Sequence, residues 1–144
     1  MPDTPSHSVS VAGIVVNDVG HVLVIRRRDN GHWEPPGGVL ELDESIEDGV
    51  RREVEEETGI PVHVEHLTGV YKNMQRGVVA LVFRCHPLAE RPPHPSDEAT
   101  EVLWVKPDAI SHLMVPAYAV RVTDALTNNA PITRTHDGIH LIDT

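Results

Sequence analysis

The stretch PPGGVLELDESIEDGVRREVEEETGI, residues 35–60, restricts what this chain can fold into more than any other segment. Two prolines followed by two glycines cannot continue regular structure, and Gly59 with Pro61 ends a helix, so one helix must fit between these breaks. Ser45 is placed to cap it, and Asp48 three residues on completes a capping box, which sets the helix at Ser45 to Thr58. With successive residues about 100° apart, Ile46, Gly49 and Val50 share the stripe that should face a core, with Val54 at its margin. The same stripe then runs into Glu53 and Glu57, with Glu56 at its other margin. Acids stand where the helix needs apolar residues.

An acidic run is ordinarily a solvated face. Here Glu53, Glu56 and Glu57, at i, i+3 and i+4, converge on one inward patch, where mutual repulsion and desolvation are costly without compensation. A hard divalent cation such as Mg²⁺ takes oxygen ligands and supplies that compensation. Mg²⁺ also keeps waters and binds through few carboxylates plus substrate phosphates, so the misplaced acids read as a phosphate-handling site. The PPGG turn brings backbone carbonyls close to the helix, because glycine permits tight approach. Arg26, Arg27 and Arg28 end the preceding strand; they suit phosphate oxygens, and equally suit a salt-bridged strand end.

The rest of the chain supplies a frame. At 144 residues it is read as a loose tail (residues 1–7) and a single domain (8–144). VSVAGIVV (9–16) and HVLVIRR (21–27) are β-branched runs joined by NDVG, a hairpin signal. Strands come next at 62–71, 77–85 and 101–105, then a short helix near 107–113 and a longer one from Pro116 to Thr127. PITRTHDGIHLID gives a C-terminal hairpin at 131–142, turning at Asp137-Gly138. It reads as an edge addition, a lid or a dimer contact. Between 86 and 100 lies a Pro-rich loop long enough to carry function. The mixture predicts an α/β fold with a mixed sheet and helices on its faces. The net charge of −10 argues against nucleic acid or an anionic membrane as main partner, though not against a phosphorylated ligand held through a metal. The single cysteine, Cys85, and the lack of a signal-like N-terminus or a membrane-length apolar run favour the cytoplasm.

Gly38, five residues, Glu44, seven residues, Arg52-Glu53, Val54, one residue, Glu56-Glu57, one residue, Gly59-Ile60 resembles the Nudix box, with its specified and aliphatic positions all present. The resemblance extends over the flanking strands, from about Val9 to Leu126, and implies an α/β/α sandwich around a mixed sheet. Gly49 stands where members commonly have alanine, a helix cost of about 1 kcal/mol. The resemblance implies a pyrophosphohydrolase that cleaves a nucleoside diphosphate linked to another group with Mg²⁺ or Mn²⁺. It makes Glu53, Glu56, Glu57 and the Gly37 carbonyl metal ligands, Arg52 the residue that orients the glutamates, and Glu44 a support for the loop. The general base is Glu53 or an acid of the later loop, Glu98 first and Glu101 second.

The substrate is less defined. HWEPPGG, with Trp33 and Glu34, is similar to W-E-x-P-G-G of the mutator-type Nudix enzymes, although a tryptophan there can equally be packing. Markers of the ADP-ribose, dinucleoside-polyphosphate and coenzyme A branches are not evident. Tyr118 is a candidate for stacking on or hydrogen-bonding a base, or a half-buried helix tyrosine. The expected partner is a small-molecule nucleotide, and a homodimer is left open. The main alternative is a non-catalytic nucleotide-binding regulatory module, which an intact box and a chain with no room for a second domain disfavour. Isomerase chemistry on an isoprenoid diphosphate is more remote, since Cys85 sits far from the box.

Overall fold

The computed structural model describes residues 3–142; the ends of the expected N-terminal tail and of the last strand's flank lie outside them. Residues 4–7 are irregular and exposed. β1 (Ser8–Val15) and β2 (Val22–Arg27) are the two β-branched runs, and the turn between them is closed by Asn17, whose Oδ1 accepts from Val19 N–H at 3.2 Å and His21 N–H at 2.9 Å. The hairpin expected from them is not formed. The strands meet at one bridge, Val16 to Val22, and then part into different sheets. The cause is burial: Val22, Leu23, Val24 and Ile25 are all inside, so β2 is covered on both faces and takes its own partners. It lies between β3 (Trp33–Glu34) and β7 (Ala99–Val105), antiparallel to both.

β1 instead joins a six-stranded mixed sheet in the order β4-β1-β6-β5-β8-β9, where β4 is Gly37–Val39, β5 Val62–Asn73 and β6 Val78–Pro87. β1 runs parallel to β6 and antiparallel to β4, and β5 runs antiparallel to β6. The C-terminal pair is realised as an edge addition: β8 (Ile132–His136) lies parallel to β5, and β9 (Leu141–Ile142) turns back along β8. Asp137 Oδ1 closes that turn by accepting from the Ile139 and His140 amides.

α1 (Ile46–Thr58) covers one face, burying Val50 and Val54 against Val11, Val15 and Phe83. Ser45 Oγ accepts from Asp48 N–H at 3.2 Å, and Gly59 ends the helix at φ 76°, a left-handed conformation that glycine adopts without a Cβ clash. One expectation for its wheel fails: Ile46 is 42% exposed, because contact with the core begins only at Gly49. Gly49 itself is a close-packed position. A Cβ there would come within 2.7 Å of Leu40 Cδ1, so the helix cost of glycine has a packing counterpart. α2 (Ile110–Leu113) and α3 (Pro116–Thr127) cover the opposite side, with Val122 and Ala125 packed near Ile14, Val24 and Tyr71. The architecture is the expected α/β sandwich, and among the described residues no helix is long and apolar enough to cross a membrane.

Candidate active site

Three segments converge at the C-terminal half of α1. The helix supplies Glu53 and Glu57, which are only 8% and 5% exposed, as the wheel anticipates for acids on the core stripe. The start of β4, just after the Pro35-Pro36 turn, supplies Gly37 and Gly38. Gly37 N–H donates to Glu57 Oε1 at 2.7 Å, and a Cβ on Gly38 would lie about 2.5 Å from the Glu53 carboxylate, so only glycine allows this approach. The loop before β7 supplies Glu98. Carboxylate oxygens of Glu53, Glu57 and Glu98 lie within 4.8 Å of one another.

Glu56 is a correction to the helix wheel. Its side chain is 61% exposed, so the buried acids of the helix are Glu53 and Glu57, joined by the exposed Glu98, with Glu56 at the rim. The reason is angular: Glu56 lies at the margin of the stripe, and the sheet edge does not reach that far round.

Arg52 organises the cluster from the side. It donates Nε and Nη2 to the two Glu44 oxygens at 2.9 and 2.6 Å, Nη1 to Glu53 at 2.8 Å and to Glu56 at 3.3 Å, and Nη2 to the Val39 carbonyl at 3.2 Å. Glu44 also accepts from the Glu41 amide at 3.0 Å, which closes the loop ahead of α1. The Arg52 guanidinium holds the Glu44 carboxyl down at about 2. Burial raises Glu53 despite Arg52 beside it. Burial pushes Glu57 up to about 8, with the charges of Glu53 and Glu98 adding to it and the Gly37 N–H opposing. Acids held this way bind a proton or a cation more readily than they stand charged together.

The Glu98 loop is anchored at both flanks. Arg28 donates its amide to the Glu98 carbonyl at 2.9 Å and Nε to the Asp97 carbonyl at 2.9 Å, while His94 N–H bonds the Thr58 carbonyl at 3.1 Å. Among the described residues nothing donates to the Glu98 carboxylate. Glu101 points elsewhere, to Arg26 Nη1 at 3.0 Å, with both side chains about half exposed.

A cleft of about 710 Å³ is lined by Gly37 and Gly38 and also by Tyr118, Arg121 and His136. Its size suits a small organic ligand. Glu34 and Arg27 line it, as does Tyr118. Arg27 is held by Asp29 at 2.7 Å and lies 3.6 Å from Glu34, whose carboxyl is raised by burial. Two expected substrate residues are elsewhere. Arg26 is taken up by Glu101, its partner on β7, and by the Gly31 carbonyl, because successive strand residues point to opposite faces and Arg26 faces away from Arg27. Trp33 packs against the core under α3 and is not in the cleft wall.

Arg121 and His136 were not singled out from sequence. The same wheel test finds Arg121: it falls on the stripe of Ala117, Val122 and Ala125, a charge on the buried face of α3. His136 carries no comparable signal, since its position depends on β8 pairing with a strand about sixty residues earlier, Asn73 of β5 being its partner.

A model of the NUDIX domain matches residues 6–126. A "MutT-like protein" of Streptomyces ambofaciens is 60% identical over 140 residues, which is 96% of this chain and 89% of that protein. An "ADP-ribose pyrophosphatase" of Methanocaldococcus jannaschii is 39% identical over 83 residues, 53% of this chain and 48% of that protein. Among solved structures, the MutT protein from Methanosarcina mazei Go1 superposes with a TM-score of 0.71 at 31% identity, covering 89% of this chain and 99% of that one.

Proposed function

The chain belongs to the Nudix family and is a hydrolase acting on pyrophosphate bonds, and on that premise we propose that it is a Mg²⁺-dependent pyrophosphohydrolase cleaving a nucleoside diphosphate linked to another group. The observation that carries this reading is the trio of two buried acids, Glu53 and Glu57, and the exposed Glu98, in a chain with a cleft of nucleotide size. The donor set fits the cation: the carboxylates are hard oxygen ligands, two of them are buried on the core stripe, and burial and mutual repulsion raise Glu57. Glu53, Glu57 and Glu98 would hold it with the Gly37 carbonyl, and Glu56 would serve from the solvent side. When bound, Mg²⁺ or Mn²⁺ neutralises phosphate charge and lowers the pKa of attacking water.

The protein's own residues do the remaining work. Arg52 occupies one oxygen of Glu53 and so fixes the direction of the other. Among the described residues Glu98 has no donor on its carboxylate and sits on an anchored loop, so an oxygen it does not give to the cation can take a proton from the attacking water. The glycine turn presents its backbone between the carboxylates and the cleft, which aligns the scissile linkage with them. Arg27 stands at the cleft wall for phosphate oxygens, and Tyr118 supplies a ring face for the base. The name of the M. jannaschii relative, whose length this chain half covers, supports cleavage of a nucleotide pyrophosphate. The test is a phosphate-release screen over NTPs, oxidised dNTPs, ADP-ribose, nucleotide sugars and dinucleoside polyphosphates with Mg²⁺ and with Mn²⁺. A nucleoside monophosphate is the expected product in every productive case. Tight nucleotide binding with no turnover would move the assignment to a regulatory module.

A further inference from the structure

Arg121 is 7% exposed, lines the cleft and, among the described residues, has no carboxylate in salt-bridge contact. Its neighbour on α3, Asp124, is taken by Arg134 through two bonds of 2.8 Å and by the Tyr71 hydroxyl at 2.7 Å. The guanidinium is instead held between aromatic faces, 4.5 Å from the Tyr118 centroid and 5.1 Å from that of Tyr71. Rings stabilise the charge without accepting its hydrogens. Among the described residues Nε is the one buried side-chain polar atom with no partner, while Nη1 makes no hydrogen bond and is not sealed from solvent.

The one polar neighbour does not help. Gly138 N–H donates to His136 Nδ1 at 3.0 Å, so the proton of the neutral ring sits on Nε2. That nitrogen faces Arg121 Nη2 at 3.4 Å, and both are then donors. Burial and the Arg121 charge keep His136 neutral, so the confrontation is not relieved by a second tautomer without orphaning the Gly138 amide. Among the described residues, therefore, Nε, Nη1 and Nη2 of Arg121 and Nε2 of His136 have no protein acceptor, on two residues that line the cleft. Buried donors without partners are rare and costly, and they call for an acceptor from outside.

That acceptor is best an uncharged oxygen. Glu34 lines the same cleft as Arg121, and its negative charge there disfavours a second phosphate. Glu34 suits an N–H of the ligand, and Tyr118 offers it a flat wall. An oxo base carries a C=O beside an N–H, the pattern that this donor–acceptor pair matches; the amino groups of adenine and cytosine would bring a further donor to a donor cluster. We propose that Arg121, with His136 beside it, selects the nucleotide by donating to an oxo group of its base, favouring hypoxanthine-, guanine- or uracil-type bases over adenine or cytosine. The inference rests on reading the cleft as the nucleotide site.

Pairs that differ in one group test it: ITP against ATP, and UTP against CTP, compared by kcat/KM. The wild type should favour the oxo member of each pair by about tenfold or more, the scale of one hydrogen bond to a charged group. Arg121→Gln, which offers a donor and an acceptor alike, should bring both ratios towards one, and Arg121→Lys should keep part of them; melting curves report whether each variant folds. Equal turnover of both members by the wild type overturns the inference and leaves the hydrolase reading intact. If none of the four is hydrolysed, the hydrolase reading is judged by the wider substrate screen, and calorimetric affinities for the same pairs with Ca²⁺ judge the inference: tighter binding of the oxo members upholds it, equal affinities or no binding overturn it.

Discussion

The Gly37 amide donates to Glu57 Oε1 at 2.7 Å, joining the glycine turn to a helix residue 20 positions later. This bond makes the turn and the acid one unit: it orients Glu57 towards Glu53 and Glu98 and partly offsets the cost of burying its charge. Without a Cβ at 38, Glu53 can stand against the same turn. The cluster is thus built by backbone geometry as much as by side chains.

Glu98 and Glu101 are only three residues apart and differ in surroundings, which makes them a controlled pair. Glu98→Gln should lower kcat by roughly 10²-fold, within the range for a lost general base. Glu101→Gln removes an exposed ion pair with Arg26 and should leave kcat within about threefold and stability within about 1 kcal/mol. Steady-state kinetics of the two variants decide it; a silent Glu98→Gln would return the base to Glu53.

Arg52 binds Glu44 with two nitrogens and Glu53 with a third, a fork that lysine cannot reproduce. Arg52→Lys should keep the fold but cost about tenfold to hundredfold in activity or Mg²⁺ affinity, as for other outer-sphere partners. Activity titrated against Mg²⁺ gives both quantities. An unchanged titration would reduce Arg52 to a surface ion pair.

Much of this was legible in the sequence, for reasons that can be named. The glutamates of α1 were legible because helix periodicity assigns a face to every residue, and Glu53 and Glu57 violated it. Glu56, expected on the inward patch, is exposed because it sits at the margin, where the wheel cannot say how far round the core extends. The hairpin of β1 and β2 was misread because a turn signal fixes the turn and not the pairing of the strands it joins; two strands buried on both faces separate to find their own neighbours. Glu98 was anticipated, but its anchoring by Arg28 and by His94 on Thr58 depends on contacts distant in sequence. His136 reaches the cleft only through β8 pairing with β5, a contact no local pattern announces.

The raised Glu57 carboxyl makes stability depend on pH. Its value is about 8 in the fold against 4.5 as the ordinary value, so the native state binds this proton more tightly than the unfolded chain. Its contribution is complete below about 4.5 and is lost as pH rises through about 8. The metal-free protein should therefore lose a part of its melting temperature across that window. A cation competes with the same proton, so the increase in melting temperature on adding Mg²⁺ should grow with pH over the same range. Melting curves at a series of pH values, with EDTA and with Mg²⁺, measure both trends; a Mg²⁺ effect that shrinks as pH rises would count against this assignment.

The central claim, that Glu53, Glu57 and Glu98 form a cation site for hydrolysis, is tested most directly by Glu57→Gln. The measurement is the Mg²⁺-dependent shift in melting temperature, taken with nucleotide hydrolysis on the same preparations. A site filled at 100 times its Kd adds about 2.7 kcal/mol to the wild type. Glutamine keeps an oxygen for the Gly37 amide and removes one repelling charge, so the metal-free variant should melt no lower than the wild type. It should also lose most of the Mg²⁺ shift and most of the activity. A Glu57→Gln protein that keeps the full Mg²⁺ shift and hydrolyses nucleotides at the wild-type rate would contradict the account.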